Sequence, residues 1–192
     1  MLELGPELFA LLNTKQATGS RRSIVYGVPG LSALDIRRIE TELGFRLPED
    51  FAFLLQNIRD PDRVLFPWSN FDKSTYDDRI GWVRKGIESS IEEDGFWDSR
   101  WGQRPDGLEQ ALGIFRLHFT TWPKLLPLLG HRFLAAEPCR PDNPVFSIMG
   151  TDIICYGANL AHYLMLEFVD LTPDAFGHDW PWWCDIIAKH IA

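Results

Sequence analysis

The segment Asn143–Asn159, which reads NPVFSIMGTDIICYGAN, constrains the fold of this chain more than any other stretch. Apolar residues, several of them β-branched, stand on both sides of Gly150, which predicts two short strands joined by a tight turn. Gly157 closes the second strand, and a helix with an apolar stripe is predicted directly after it. Asp152 lies among isoleucines, where a carboxylate is costly unless it has a partner. We expect Asp152 to tie this turn to a basic or amide-rich neighbour.

Two helices are predicted well ahead of that segment. Ser32 and Asp35 have the spacing of a capping box, which opens a helix. Gly44 suits the position just past the end of that helix. Leu47 and Pro48 then begin a second helix, because proline is favoured in the first helical turn. The two helices should therefore meet at a tight corner.

The remaining stretches predict fewer and weaker elements. Residues 59–79 have a turn-like composition and predict a loop or a short helix. An amphipathic helix is predicted over residues 107–121, and a single apolar strand over residues 124–134, where Pro127 indicates a sheet edge or an irregularity. A last helix is predicted near the C-terminus. Helices first, a small sheet in the middle and helices again is the pattern of an α+β fold.

Bulk composition limits the classes of protein to which the chain can belong. Its 192 residues fit one domain, residues 31–192, with residues 1–30 as an N-terminal extension. A net charge of −8 opposes non-specific binding to nucleic acid or to an anionic membrane. No apolar run is long enough to span a membrane, the N-terminus lacks the basic start of a secretory signal, and three widely spaced cysteines are typical of reduced thiols. We expect a cytoplasmic protein that is a monomer or a weak dimer.

Signals for enzymatic chemistry are weak throughout the sequence. A nucleophile could combine Cys155, or Ser147 in its place, with His131 and Asp152, but no nucleophile elbow or cysteine-protease signature surrounds them. Histidines and cysteines lack metal-ligand spacing, and no phosphate-binding glycine loop occurs. Asp152 and Glu167 could form a pair of catalytic carboxylates, although a structural role, bonded to backbone amides or paired with Arg132 or Arg104, is favoured. We expect no catalytic residues, no metal and no cofactor.

Clustered acids beside tryptophans favour a protein-binding role instead. Residues 88–98 contain five acids and no basic residue, and residues 141–188 contain neither lysine nor arginine. Carboxylates speed association with a basic partner and tryptophans supply anchors; the alternative is a solvated acidic face that only maintains solubility. The candidate partner-binding residues are Glu92, Glu93, Asp94, Trp97, Asp98 and Trp101, followed by Asp170, Asp174 and Asp179.

Several short motifs give the chain a family resemblance. The helix corner reads IETELGFRLPEDF over residues 39–51, and later pieces read GFW at 95–97, WG at 101–102, HRF at 131–133 and TDII at 151–154. The motif residues expected to be structural are Gly44, Leu47, Pro48, Arg104, Pro105, His131, Arg132, Asp152, Tyr156, Gly157 and Glu167. In these pieces, spread over residues 31–169, the chain resembles the SUKH superfamily, also called Smi/Knr-like.

The resemblance implies an α+β fold with N-terminal helices, a central, mainly antiparallel sheet and C-terminal helices packed on it. It also implies a bacterial immunity protein, which binds a polymorphic toxin, often a nuclease, and occludes its active surface. The alternative within the same superfamily is a regulatory or scaffold adaptor related to fungal cell-wall regulators. A small hydrolase is a third reading. The resemblance brings no catalytic residues. Together with the clustered acids, it makes a basic toxin domain the expected partner.

Overall fold

The computed structural model describes residues 3–19 and 24–169 of the chain. Its helices are α1 Pro6–Gly19, α2 Ala33–Leu43, α3 Glu49–Gln56, α4 Lys73–Glu93, α5 Leu108–Phe119 and α6 Leu160–Phe168, with short 3-10 turns at Trp68–Asn70 and Ser99–Trp101. Its strands are β1 Val25–Tyr26, β2 Ile58–Arg59, β3 Leu125–Pro127, β4 Arg132–Ala135, β5 Val145–Met149 and β6 Asp152–Gly157. The α+β class predicted from the sequence is confirmed.

Strands β3 to β6 form one antiparallel sheet in chain order, and β1 pairs with β2 in a separate two-stranded sheet. The predicted pair of strands around Gly150 is confirmed as the β5–β6 hairpin, and α6 follows it. Pro127 lies in β3, which is an edge strand as expected. The single strand predicted over residues 124–134 is wrong, because Gly130, at φ 55, takes part in a turn that separates β3 from β4.

Helices cover both faces of the four-stranded sheet. Leu126, Leu134 and Val145 belong to a core cluster that includes buried residues of α1, α2, α3 and α6. Their chain neighbours point the other way, and Phe133 and Phe146 pack with Val83 of α4. Because successive strand residues face opposite sides, burial on both faces explains why these strands read as continuous apolar runs.

Helix α1 packs in the main core. Leu8, Phe9 and Leu12 are buried there, and the Phe9 ring stacks on Tyr26 with centroids 5.7 Å apart. The side chain of Asn13 holds β1 through both polar groups of the Tyr26 backbone, each at 3.0 Å. The segment interpreted from the sequence as an N-terminal extension thus supplies side chains to the same core as the rest of the chain.

The predicted corner between α2 and α3 has the expected local chemistry. The Asp35 amide donates to Ser32 Oγ at 3.2 Å and the Ser32 amide donates to Asp35 Oδ2 at 2.9 Å, which is the capping box. Gly44 ends α2 in the left-handed conformation, at φ 77. The Leu47 amide donates to Glu40 Oε1 at 2.9 Å, so Glu40 fixes the turn that leads to Pro48.

Helix α4 is the element that the sequence indicated least. Residues 59–79 predicted a loop or a short helix, whereas a 21-residue helix begins at Lys73 and is capped by Asp72, which accepts from the Thr75 amide at 2.8 Å. Its buried positions, Tyr76, Val83, Ile87 and Ile91, are widely spaced and lie on one face. A narrow apolar stripe on a polar helix gives a weak periodic signal. No helix within the described part of the chain is long and apolar enough to cross a membrane.

Candidate functional site

Three exposed acids and a partly exposed tryptophan form a surface that we call the acidic corner: Glu92, Glu93, Asp94 and Trp97. The acids occupy the last turn and the cap of α4, and that last turn contains no basic residue. A helix carries partial negative charge at its carboxyl end, where cations rather than acids are favoured. The acids therefore add to the field of the helix, and the corner is strongly negative.

Arg104 stabilises the backbone of the acidic corner. Its guanidinium donates to the carbonyl oxygens of Ile91, at 3.0 Å, and Gly95, at 3.3 Å. These oxygens lie where helix α4 ends, so Arg104 satisfies carbonyls that the helix leaves open. Gly95 adopts φ 70, which suits a residue that turns the chain out of a helix. Pro105 follows, half-buried, in the loop towards α5.

Two predicted partner-binding residues lie inside this turn rather than on its surface. Asp98 is 2% exposed, and its carboxylate accepts from the Arg100 amide at 2.9 Å and forms an ion pair with the Arg100 guanidinium. Trp101 is 8% exposed and packs edge-on against Trp97 with centroids 5.2 Å apart. The sequence prediction for Asp98 and Trp101 is corrected, because both build the turn. Arg100 was missed, and its spacing of two residues from Asp98 was the available signal.

Arg132 is the centre of a second polar cluster, on the face of the sheet that α6 covers. From β4 its Nη1 donates to Ser147 Oγ of β5 at 2.8 Å, and its Cζ lies 3.7 Å from the ring centroid of Tyr156 in β6. Its Nε is 3.7 Å from Glu167 Oε2 of α6, and these side chains are 16% and 20% exposed. The structure thus places Glu167 beside Arg132, one of the two partners weighed from the sequence.

Burial shapes the protonation of the groups around Arg132. The hydroxyl of Tyr163 is buried, and burial together with the nearby Glu167 carboxylate raises the pKa of Tyr163 well above its ordinary value. Burial lowers the pKa of His131, and the positive charge of Arg132 lowers it further. Ser147 has Arg132, rather than a base, as its hydrogen-bond partner. In this cluster the ion pair between Glu167 and Arg132 links helix α6 to the sheet, and the Tyr163 hydroxyl is neutral and has no hydrogen-bond partner among the described residues.

Asp152 does not take the structural role expected from the sequence. It is exposed at the first position of β6, opposite Met149 across the hairpin, and no hydrogen bond or ion pair joins it to another described residue. The prediction of a carboxylate lock is therefore corrected. The tight turn at Gly150 puts Asp152 beside the turn of the hairpin, where its carboxylate is exposed to solvent.

Some sequence predictions concern residues outside the described part of the chain. Asp170, Asp174 and Asp179 belong to this group, as does the last predicted helix. Among residues 3–19 and 24–169, no group of three or more histidine, cysteine or acidic side chains is arranged to hold a metal ion.

Comparison of this chain with protein-family models, with curated proteins and with solved structures found no match. The resemblance to the SUKH superfamily therefore stays a prediction made from the motifs. Of the motif residues, Gly44, Leu47, Pro48 and Arg104 lie in the two chain turns described above, and Arg132, Tyr156 and Glu167 meet in one cluster.

Proposed function

We propose that this protein is a non-enzymatic binding protein that recognises a basic protein partner through the acidic corner. The observation that carries the proposal is the position of three exposed acids at the carboxyl end of α4. Acids there oppose the helix dipole and cost stability. These acids therefore do not stabilise the helix through its dipole, whereas a negative surface attracts a cationic one.

The surroundings of the acids suit binding. Glu93 accepts a hydrogen bond from Ser89 Oγ at 2.9 Å, and no ion pair joins Glu92, Glu93 or Asp94 to a basic residue in the described chain. Long-range attraction between complementary charges raises association rates by orders of magnitude. The corner therefore has the electrostatic character of a surface that steers a basic partner into contact.

Trp97 provides the corner with an apolar anchor. Its Nε1 donates to the Gly102 carbonyl at 2.8 Å and its ring packs edge-on against the buried Trp101, so its orientation is fixed before binding. Tryptophan is enriched among the residues that dominate interface energies, and a fixed side chain loses little entropy on contact.

The resemblance to SUKH immunity proteins supplies the kind of partner. We propose a toxin domain with a basic substrate-binding surface, as a nuclease has, which the acidic corner covers and thereby inhibits. Occlusion needs no catalytic residue in the immunity protein, only a surface complementary in charge and shape to that of the toxin.

Co-expression with the toxin domain encoded beside its gene tests this function. The intact chain should rescue growth, and the charge reversal Glu92→Lys/Glu93→Lys/Asp94→Lys should abolish rescue. A matched control is Glu42→Lys/Glu49→Lys/Asp78→Lys, which changes three exposed acids elsewhere and alters the net charge equally. If the corner variant still rescues growth, or if the corner variant and the control both fail to rescue, the proposed role of the acidic corner would be overturned. Toxicity that the intact chain leaves unchanged would overturn immunity.

A scaffold or regulatory adaptor is the second candidate. The same acidic corner would then bind a resident basic protein, and affinity capture with the intact chain, compared with the corner variant, distinguishes the two. Corner-dependent capture of cellular machinery, without any toxin domain, would favour the adaptor.

A further inference from the structure

A cavity of about 590 Å³ lies between the end of α3, the β1–β2 pair and the loop that precedes α4. None of the residues of the acidic corner lines it. Its volume is within the range of small-molecule sites in proteins, roughly 300–1,000 Å³. We call it the arginine cavity, after the two arginines, Arg59 and Arg63, that line it.

The floor of the arginine cavity is apolar and fixed. It is formed by the buried side chains of Leu55, Ile58, Leu65, Phe66 and Trp68. Trp68 Nε1 donates to the Pro127 carbonyl at 2.9 Å, and its ring meets Phe51 edge-on with centroids 5.2 Å apart. A floor of this kind gives a flat or branched apolar group a surface from which water is readily displaced.

The walls are held by backbone contacts before any ligand arrives. On one side, the Gly30 amide donates to the Gln56 carbonyl at 2.8 Å, and a methyl group on Gly30 would lie 2.3 Å from the Leu55 carbonyl oxygen. On the other side, the Asp60 carboxylate accepts from the amides of Val64, at 2.8 Å, and Leu65, at 2.7 Å. A cavity whose walls are already fixed loses little entropy when it is filled.

The charge of the cavity is opposite to that of the whole protein. Arg59 Nε donates to the Pro29 carbonyl at 3.0 Å, and Arg63 makes no side-chain hydrogen bond or ion pair with the described residues. Asp60 is the one acid among the described lining residues, and backbone amides already occupy both of its oxygens. The two arginines and Asp60 leave the lining with a net positive charge, and no ion pair joins Asp60 to either guanidinium group.

The backbone at Arg63 supports the same reading. Its φ of 52 places it in the left-handed region, which costs a residue with a side chain about 1 kcal/mol. Non-glycine residues in this region cluster at ligand-binding sites, where the surrounding structure holds them. Here the two hydrogen bonds to Asp60 hold the loop, and the strained position carries a cation that lines the cavity.

We propose that the arginine cavity binds a small organic anion, whose apolar body lies on the floor and whose carboxylate or phosphate group is held by Arg59 and Arg63. The guanidinium fork matches the geometry of both kinds of oxyanion. This site is independent of the proposed protein-binding function, because the two use different residues on different elements.

Three naphthalene compounds with one apolar body and different head groups test the proposal. Calorimetric titration of the intact chain with naphthoate, naphthyl phosphate and naphthol separates the contribution of charge from that of the ring. We expect one of the two anions to bind at a single site at least roughly tenfold more tightly than naphthol, since hydrogen bonds to charged groups are the stronger ones. The tighter anion identifies the head group. Equal affinity for all three compounds, or no binding of either anion, would overturn the proposal.

Substitutions locate the binding. Arg63→Gln, at a side chain that makes no hydrogen bond or ion pair with the described residues, should weaken anion binding roughly tenfold or more and leave naphthol binding unchanged. Arg59→Gln/Arg63→Gln should do the same. The control Arg38→Gln/Lys85→Gln removes two exposed positive charges outside the cavity and should bind both compounds as the intact chain does. If Arg63→Gln binds the anion normally, or if the control loses affinity equally, the cavity is not the anion site. Circular dichroism checks that each variant is folded.

Discussion

Arg132 joins strands β4, β5 and β6 to helix α6 through one guanidinium group. Its contacts are a hydrogen bond to Ser147, a stacked position over Tyr156 and an ion pair with Glu167. Replacing both members of a partly buried ion pair with apolar residues changes stability little, whereas replacing one member leaves the other charge uncompensated. Single substitutions at Arg132 and Glu167 should therefore differ from the double substitution.

We expect Arg132→Met to lower the free energy of unfolding by about 2–4 kcal/mol, because it leaves the Glu167 carboxylate half-buried and unpaired. Arg132→Lys retains the positive charge but loses the planar guanidinium group, so its free energy of unfolding should lie between those of the intact chain and Arg132→Met. Arg132→Met/Glu167→Met should recover part of the loss. Urea denaturation of the intact chain, Arg132→Met, Glu167→Met and the double variant measures the coupling between the two side chains. Additive effects of the single substitutions would contradict the described pair.

His162 makes the stability of α6 dependent on pH. Its Nδ1 accepts from the Ala158 amide at 3.1 Å, and burial lowers the pKa of His162 below its ordinary value. The unfolded chain therefore binds a proton at a higher pH than the folded chain does, so stability rises with pH and is lost as pH falls below about 6.5. His131, whose pKa is also lowered, contributes in the same direction.

The melting temperature should therefore decrease as the pH is lowered from about 8 to about 5.5. His162→Asn should make the melting temperature depend less on pH. Asparagine can place an oxygen where Nδ1 accepts the amide, and it does not titrate. A residual slope from His131 is expected to remain. Equal slopes for the intact chain and the variant would show that His162 does not sense pH.

At the scale of elements, the join between β6 and α6 depends on a close approach at Gly157. A methyl group there would lie 2.9 Å from Tyr163 Cβ and 3.0 Å from its Cα. These atoms belong to a buried residue at the start of α6, so they cannot move aside without shifting the helix. Hairpin and helix are thus built as one unit.

Gly157→Ala should lower the free energy of unfolding by about 1–3 kcal/mol through overpacking. The same substitution at Gly113, in α5, is the matched control, because a methyl group there meets nothing within 4 Å. Gly113→Ala should stabilise the protein by about 0.5–1 kcal/mol, since glycine is unfavourable inside a helix. Thermal unfolding of both variants measures effects of opposite sign. A shift of the same sign would contradict the packing described at Gly157.

Across the whole molecule, the elements with local signals were predictable from the sequence and those fixed by tertiary contacts were not. The capping box at Ser32 and the hairpin around Gly150 each depend on residues close together in the chain. The length of α4 and the burial of Trp101 depend on packing against elements that are distant in the chain, and local sequence patterns carry no information about such contacts. Of the acidic corner, the sequence indicated Glu92, Glu93, Asp94 and Trp97, but it could not separate them from the buried Asp98.

The arginine cavity was beyond sequence reasoning for the same reason. Arg59 and Arg63 stand in a stretch with an ordinary turn composition, and nothing nearby in the chain shows that β1 and the end of α3 enclose a space beside them. The cavity exists because Gly30 lets one segment approach another closely. A single glycine is a common residue in loops, so its role is apparent only from the carbonyl oxygens around it.

The exposed carboxylate of Asp152 has a consequence for self-association. Among the described residues, β6 is the last strand of its sheet, and it carries Ile154 at 52% exposure. A terminal strand with apolar side chains can template the addition of a strand from another molecule. A negative charge at its first position repels the same charge on a second copy. Asp152→Asn should leave the free energy of unfolding within about 0.5 kcal/mol of that of the intact chain. It should also make concentrated samples aggregate sooner on warming, which light scattering measures. An unchanged rate of aggregation would mean that the charge of Asp152 does not oppose self-association at β6.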